Sequence, residues 1–335
     1  MPIALAGMSF CLIPVLALAQ SASLTGAGAT FPEPLYQRYF SEFKKTTNTD
    51  VRYNGIGSGG GIKQFIAETV DFGASDAAMS DAEIQQVKRG VVMVPTAGGA
   101  VAVVYNAPGV SNLKLSRTTL PAIFSGKITK WNDPAIAKDN PGVSLPGKSI
   151  RLAVRADSSG TSFIFTNHLS AIDPGFKSKV GATKSPNWSG NTLKGKGNDG
   201  VAALVQQTEG SIGYVEAAFA KQAKLPTALV QNKTGQFVPP SLAEANKAIQ
   251  SVNFPSNFRV FEGDPQKGYP ITGLTWLLVY TQYDKSKGDA VKKLVRWILT
   301  DGQKLNASLE YTKIPDSVAK KAIAAVNSGV KVAGN

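Results

Sequence analysis

Gly26-Ala27-Gly28-Ala29-Thr30-Phe31-Pro32 is a glycine-rich turn that runs straight into a helical pattern. Phe31, Leu35, Tyr39 and Phe43 recur every four residues, with Tyr36 and Phe40 beside them, which is the apolar stripe of an amphipathic helix. Pro32 and Pro34 fall in its first turn, where a missing N–H costs little. Outward from here the pattern repeats. Val51 to Asn54 is a short strand feeding a second turn, Gly55-Ile56-Gly57-Ser58-Gly59-Gly60-Gly61, and Ile62, Phe65, Ile66 and Val70 mark the buried face of the helix that follows, with Ser58 as its expected cap. Asp71-Phe72-Gly73-Ala74-Ser75-Asp76 is a brief strand that delivers Asp76 to its end, where ligand contacts gather in open α/β sheets. A third turn, Arg155-Ala156-Asp157-Ser158-Ser159-Gly160-Thr161, follows the strand Ile150 to Val154 and precedes a helix carrying Phe163, Phe165 and Leu169. Strand, glycine turn and helix in repeated succession define an α/β architecture.

Each turn pairs glycine, which lets the backbone approach a ligand closely, with a hydroxyl residue at a helix start. A helix start presents unpaired N–H groups and the positive end of the macrodipole, so three of them converging form an uncharged cage for a small oxyanion. Arg155 adds a planar guanidinium, and Asp157, two residues on, is placed to hold it. Taken singly, each feature has an ordinary explanation: a surface ion pair for Arg155 and Asp157, helix capping for Ser58, Ser159 and Thr161, and a cap of Ser80-Asp81-Ala82-Glu83 for Asp76. Capping does not explain why hydroxyls and tight glycine turns occur together three times. Asp76 sharpens the expectation, because a carboxylate beside a dianion is repulsive unless the ligand carries a proton it can accept. That favours phosphate over sulfate.

Composition sets the frame. The 335 residues exceed one core of ordinary size and imply two domains, and 43% hydrophobic with 18% charged residues is the balance of an ordered globular chain. The formal charge of +13 comes from 36 Lys and Arg against 23 Asp and Glu, but the basic residues are scattered in pairs such as Lys44-Lys45 and Lys320-Lys321, without a basic tract. Nucleic acid is therefore not expected as a partner; a positive field that attracts small anions is. Residues 1 to 19 carry no charge, hold the apolar stretch Phe10 to Leu18 and end in Ala17-Leu18-Ala19. An export leader over 1–23, cleaved after Ala19 or Ala22, is expected. The only cysteine, Cys11, lies inside it, so disulfides, thiolate catalysis and cysteine-held metal are not expected of the mature chain.

Further along, two apolar runs, Val91 to Val94 and Ala100 to Tyr105, are broken by Pro95 and Gly98-Gly99, and such a break in a long strand is a candidate crossing between domains. Thr119 to Phe124 is expected to be helical and Trp131 to Gly147 to be loop. Gly200 to Val205 starts a helix, Ile212 to Val215 is a strand, Ile271 to Tyr280 is the second crossing, and a final helix with Val291, Leu294, Val295 and Ile298 returns the chain to its first domain. The expected lobes are 24–95 with 261–335, and 96–260.

Leu24-Thr25-Gly26-Ala27-Gly28-Ala29-Thr30-Phe31-Pro32, Gly55-Ile56-Gly57-Ser58, Val70 to Asp76, Arg155 to Phe163 and Gly195-Lys196-Gly197-Asn198-Asp199-Gly200 together resemble the PstS family, the periplasmic phosphate-binding proteins of bacterial ABC-type phosphate importers. The resemblance runs from about Leu24 to Ile314-Pro315-Asp316-Ser317-Val318. It implies the type II periplasmic binding protein fold, two doubly wound α/β lobes joined by two crossing segments. It further implies a monomer without cofactor or metal, exported to the periplasm, that carries inorganic phosphate to the transmembrane subunits of an ABC permease with their cytoplasmic ATPase. By the same resemblance Thr30, Phe31, Ser58, Asp76, Arg155, Ser159, Gly160 and Thr161 contact phosphate, while Asp157 orients Arg155 and Gly59 supports the second turn. Two positions depart from the pattern: the family often has Gly where Ser158 stands and a second Ser where Gly59 stands. Rival readings are a phosphatase using the same cleft, or an adhesive or signalling derivative that has lost the ligand. Gly142-Val143-Ser144-Leu145-Pro146-Gly147-Lys148-Ser149 fits a P-loop letter for letter, but a strand follows it where a helix should. His168 is the sole histidine and has no metal-ligand spacing around it, so neither a hydrolase triad nor a zinc site can be assembled and no enzyme is expected.

Overall fold

The computed structural model describes residues 23–333. The expected leader, with Cys11, lies outside the described residues except for Ser23. Eight strands form one long sheet: β1 (Ser23–Gly28), β2 (Asp50–Gly55), β3 (Phe72–Ser75), β4 (Val91–Asn106), β5 (Arg151–Arg155), β6 (Thr192–Gly195), β7 (Ser211–Glu216) and β8 (Thr272–Tyr280). Their spatial order is β2-β1-β3-β8-β4-β7-β5-β6. β1 pairs in parallel with β2 and β3 at one end, and β5 in parallel with β6 and β7 at the other. Between these two parallel ends run the antiparallel strands β8 and β4.

β4 is the spine of the molecule. The sequence predicts a long strand with a break near Pro95, and the structure carries one strand of 16 residues through that point. Its first part, to Ala100, pairs with β8; from Val101 onward it pairs with β7 instead. Around Pro95 β4 pairs with β8 alone, and its other edge is first met at Gly98, which bridges Thr312, so no second strand demands a ladder bond from the proline. The register shift lies opposite Thr275 and Trp276, with Thr275 against Ala97 and Trp276 against Pro95, so the proline is absorbed in a bulge rather than a break. Where β4 changes partner, the Val101 N–H donates to the Ile271 carbonyl at 2.8 Å, tying the two crossing segments together. The result is the two-lobed α/β fold of periplasmic binding proteins.

Helices cover both parallel ends. α1 (Glu33–Thr47) buries Leu35, Tyr36, Tyr39, Phe40 and Phe43, the stripe that its sequence spacing gives. Each of these side chains contributes about 1.5–3 kcal/mol when fully buried. α2 (Ser58–Ile66) buries Ile62 and Phe65 and ends before Val70. α3 (Asp81–Gln85) is closed by its own capping box, Ser80 with Glu83, so Asp76 is not needed as a cap there. α4 (Gly160–Ile172) and α5 (Gly197–Gln207) follow β5 and β6. α6 (Lys285–Leu299) buries Val291, Leu294, Val295 and Ile298 as expected, but it is not the last helix, because α7 (Asp316–Gly329) packs against it. Within the stretch expected to be loop, Pro134–Asp139 forms a short helix capped by Asp133. Among the described residues no helix is long and apolar enough to cross a membrane.

Candidate functional site

The strand ends β1, β3 and β5 and the starts of α1, α2, α4 and α5 meet at the junction of the two parallel sheet ends. Contacts between the two sides define that junction. Gly59 N donates to the Ser158 carbonyl at 2.9 Å. Asn198 Nδ2 donates to Thr30 Oγ1 at 2.9 Å and to Thr161 Oγ1 at 3.2 Å. A Cβ added to Gly160 would lie 2.3 Å from Ser58 Oγ and 2.6 Å from Asp76 Oδ2. The structure therefore brings Thr30, Ser58, Asp76, Arg155, Gly160 and Thr161 into one cluster. Phe31 adjoins Thr30, and Ser159 starts α4 beside Gly160.

Burial there is nearly complete: Ser58, Ser159, Thr161 and Asn198 have no exposed surface, Asp76 is 2% exposed and Arg155 6%. Among the described residues the N–H groups of Phe31, Ser58, Gly160 and Thr161 find no protein acceptor. They are the orphan donors at the starts of α1, α2 and α4, at the positive ends of three macrodipoles.

Ser58 is not the cap expected from the sequence. The cap position of α2 falls to Gly57, whose φ of 83° favours glycine, and a Cβ there would meet Asp157 Oδ2 at 2.1 Å. Released from capping, Ser58 Oγ accepts from Asp76 N at 3.1 Å and donates to Asp76 Oδ2 at 3.4 Å. Ser159 does cap its helix, accepting from Ser162 N at 3.0 Å, while its own N–H donates to the Lys184 carbonyl at 2.8 Å.

Arg155 is held as the sequence suggests, with a consequence for its geometry. Nε donates to Asp157 Oδ1 at 2.8 Å and Nη2 to Asp157 Oδ2 at 2.5 Å, while Nη1 reaches Thr161 Oγ1 at 3.3 Å. The Nε–Nη2 edge is thus taken by Asp157, and what faces the cluster is the Nη1 side. Asp157, held further by Gly197 N at 3.1 Å, keeps its carboxyl below the ordinary range despite burial, chiefly through Arg155.

Asp76 goes the other way. Burial raises its carboxyl to about 7, against the opposing pull of Thr275, Arg155 and Ser58. Its Oδ1 has no hydrogen-bond partner among the described residues. A carboxyl near neutrality can present either an O–H or a lone pair, so it suits a ligand whose own proton is exchangeable.

His168 lies away from the cluster on α4. Its Nδ1 is 2.7 Å from the Gly263 carbonyl, and burial lowers it to about 4, the environment of a neutral structural imidazole. Residues 142–149 are loop followed by the β5 strand, which is no P-loop setting. Two further participants carry no local signal in the sequence. Asn198 lies in the glycine-rich stretch 195–200 without a local signal of its role, and Tyr311, whose Oη donates to the Phe31 carbonyl at 2.7 Å and lies 3.0 Å from Glu216 Oε2, braces the first turn from the far end of the chain.

Two α/β lobes threaded by paired crossing strands, with helix starts converging where the lobes meet, define the class of periplasmic solute-binding proteins. The PBP superfamily domain matches residues 17–302. The chain is 41% identical over 321 residues to a protein of Pasteurella multocida (strain Pm70) named Phosphate-binding protein PstS, covering 93% of this chain and 92% of that one. To the protein of the same name in Haemophilus influenzae it is 42% identical over 310 residues, covering 90% and 92%. Among solved structures, a phosphate-binding protein from Stenotrophomonas maltophilia shares the fold with a TM-score of 0.75 at 21% identity, covering 91% of this chain and 94% of that one. The chain belongs to the PstS family.

Proposed function

We propose that this protein captures inorganic phosphate between its lobes and hands it to an ABC-type import permease in the bacterial envelope. It does so as an exported periplasmic receptor and not as an enzyme: the relatives that share 41% and 42% of its sequence are named as binding proteins. We assign residues 24–95 with 261–335 to one lobe and 96–260 to the other. Support comes from β4, which exchanges β8 for β7 at Ala100–Val101.

Thr30, Phe31, Ser58 and Asp76 contact the anion from the first lobe, and Arg155, Ser159, Gly160 and Thr161 from the second. Asp157 orients Arg155, and Gly59 joins the lobes through Ser158. Because donors are divided between lobes, only the closed form satisfies the ligand, so phosphate shifts the population toward closure. The closed form is then what the permease recognises.

The observation that carries this reading is the pairing of a buried, near-neutral Asp76 with Arg155 and four helix starts in one buried cluster. Solvent-free donors stabilise charge without reorganisation, and Asp76 accepts a proton that phosphate has and sulfate lacks. Calorimetry on phosphate-stripped protein tests it. Tight phosphate binding with weak sulfate binding is expected on the alkaline side of neutrality, where Asp76 is ionised; equal affinity for both anions there removes the Asp76 argument, and no phosphate binding removes the function.

A further inference from the structure

Asn198 is the second residue of α5 and has no exposed surface. Gly197 before it takes φ 73°, a left-handed turn that lets the helix start with Asn198 pointing at both lobes. The amide orientation follows from its partners: Oδ1 accepts from Glu216 N at 3.0 Å, and a backbone N–H can only donate. Nδ2 therefore carries the two hydrogens directed at Thr30 Oγ1 and Thr161 Oγ1.

A hydroxyl has two lone pairs and one hydrogen. Thr30 Oγ1 receives Asn198 Nδ2 at 2.9 Å and Asn198 N at 3.2 Å. Thr161 Oγ1 receives Asn198 Nδ2 at 3.2 Å and Arg155 Nη1 at 3.3 Å. Both lone pairs of both hydroxyls are thus engaged, and neither donates to the protein among the described residues. Each hydrogen is left to point at whatever acceptor lies in the cleft.

Resting on the phosphate-binding reading above, we infer that Asn198 is a positioning residue that saturates the lone pairs of Thr30 and, together with Arg155, those of Thr161, one threonine from each lobe, and so fixes both hydroxyls as obligate donors to the bound oxyanion. It also couples selectivity to closure, since the Thr30 contacts form only when the lobes meet. A ligand with donors in place of acceptors at these two positions is rejected because the threonines cannot turn to accept.

Phosphate titration by calorimetry on the parent, Asn198→Ala, Asn198→Asp, Thr30→Val, Thr161→Val and the double variants with Asn198→Ala tests this. Asn198→Ala should weaken phosphate by about ten- to a hundredfold, the effect of freeing buried hydrogen-bonding groups. Asn198→Asp should be weaker still, because a carboxylate accepts the two hydroxyl hydrogens and turns them from the ligand. In the Asn198→Ala background each Thr→Val change should cost less than about half the fold-change it causes in the parent, in logarithmic terms. Full additivity, or an Asn198→Ala affinity within about threefold of the parent, overturns the inference while parent binding leaves the functional reading intact. A parent that binds no phosphate removes that reading instead. Should the substitutions unfold the protein by circular dichroism, the parent labelled with nitrogen-15 decides: the Asn198 side-chain amide protons should be protected from exchange in the phosphate complex, and exchange as fast as that of a surface asparagine overturns the assignment.

Discussion

Ser158 occupies the space that a side chain on Gly59 would need. A Cβ on Gly59 would lie 2.3 Å from Ser158 Oγ and 2.4 Å from Ser158 Cβ, while the Gly59 N–H bonds the Ser158 carbonyl at 2.9 Å. The two positions that the sequence singles out therefore face each other across the cleft, where only one of them has room for a hydroxymethyl group while the backbone bond between the sides is kept. Gly59→Ser alone should weaken phosphate by about 1–3 kcal/mol through overpacking of the closed form. Adding Ser158→Gly should recover most of it, with a coupling of about 0.5–3 kcal/mol in a double-mutant cycle. Independent, additive effects would show that the two residues do not meet in the bound state.

Gly160 tests closure more directly. A Cβ there would meet Ser58 Oγ at 2.3 Å and Asp76 Cβ at 2.6 Å, contacts that cross from one side of the cluster to the other. Gly160→Ala should lower phosphate affinity by about 1–3 kcal/mol or more while leaving the melting temperature of ligand-free protein within a few degrees of the parent. Small-angle scattering with excess phosphate should then show a larger radius of gyration than the parent. An equal loss of ligand-free stability would mean that the steric conflict lies inside a lobe.

Arg155→Ala removes a guanidinium whose side chain is 1% exposed and leaves Asp157 as a carboxylate without its partner. By analogy with other desolvated pairs the loss in phosphate binding should be about 2–5 kcal/mol. Arg155→Lys should recover little, because an ammonium cannot hold the two oxygens of Asp157 and reach Thr161 together. Titration calorimetry reads both; affinity within about tenfold of the parent for Arg155→Ala would place the guanidinium outside the binding contacts.

Much of this arrangement was legible because glycine turns and apolar stripes are local signals. The stripe on Leu35, Tyr39 and Phe43 and the strand that ends at Asp76 depend only on near neighbours. Three features were not local. Ser58 reads as a cap, and only the approach of Asp76, 18 residues away in sequence, shows where its hydroxyl goes. Pro95 reads as a break in a long strand, and only the pairing with β8 shows that the break is a bulge through which the strand continues. Asn198 looks like one polar residue in a glycine-rich motif until Thr30, 168 residues earlier, lands against it. The helix Asp316–Gly329 has a plain apolar stripe in Val318, Ala322 and Val326, and its small residues were too weak a pattern to stand out from the loop before it.

The carboxyl of Asp76 makes selectivity depend on pH in a defined direction. Burial raises it to about 7, so below that value it is neutral and offers an O–H, and above it is an ionised acceptor. Sulfate brings no proton at neutral pH and can be tolerated only by the neutral carboxyl. Its affinity should therefore rise as pH falls through about 7, and well above that value should drop by about tenfold per pH unit. Phosphate supplies a proton of its own, so its affinity should change far less over the same window. The preference for phosphate over sulfate is then greatest on the alkaline side. Asp76→Asn, which always offers an N–H and never ionises, should flatten the sulfate profile and bring the two anions closer together. Parallel titrations of both anions from about pH 6 to about pH 9, on the parent and on Asp76→Asn, measure this. A sulfate affinity that stays flat in the parent would mean that Asp76 does not exchange a proton with the ligand, and selectivity would then have to come from the donor geometry alone.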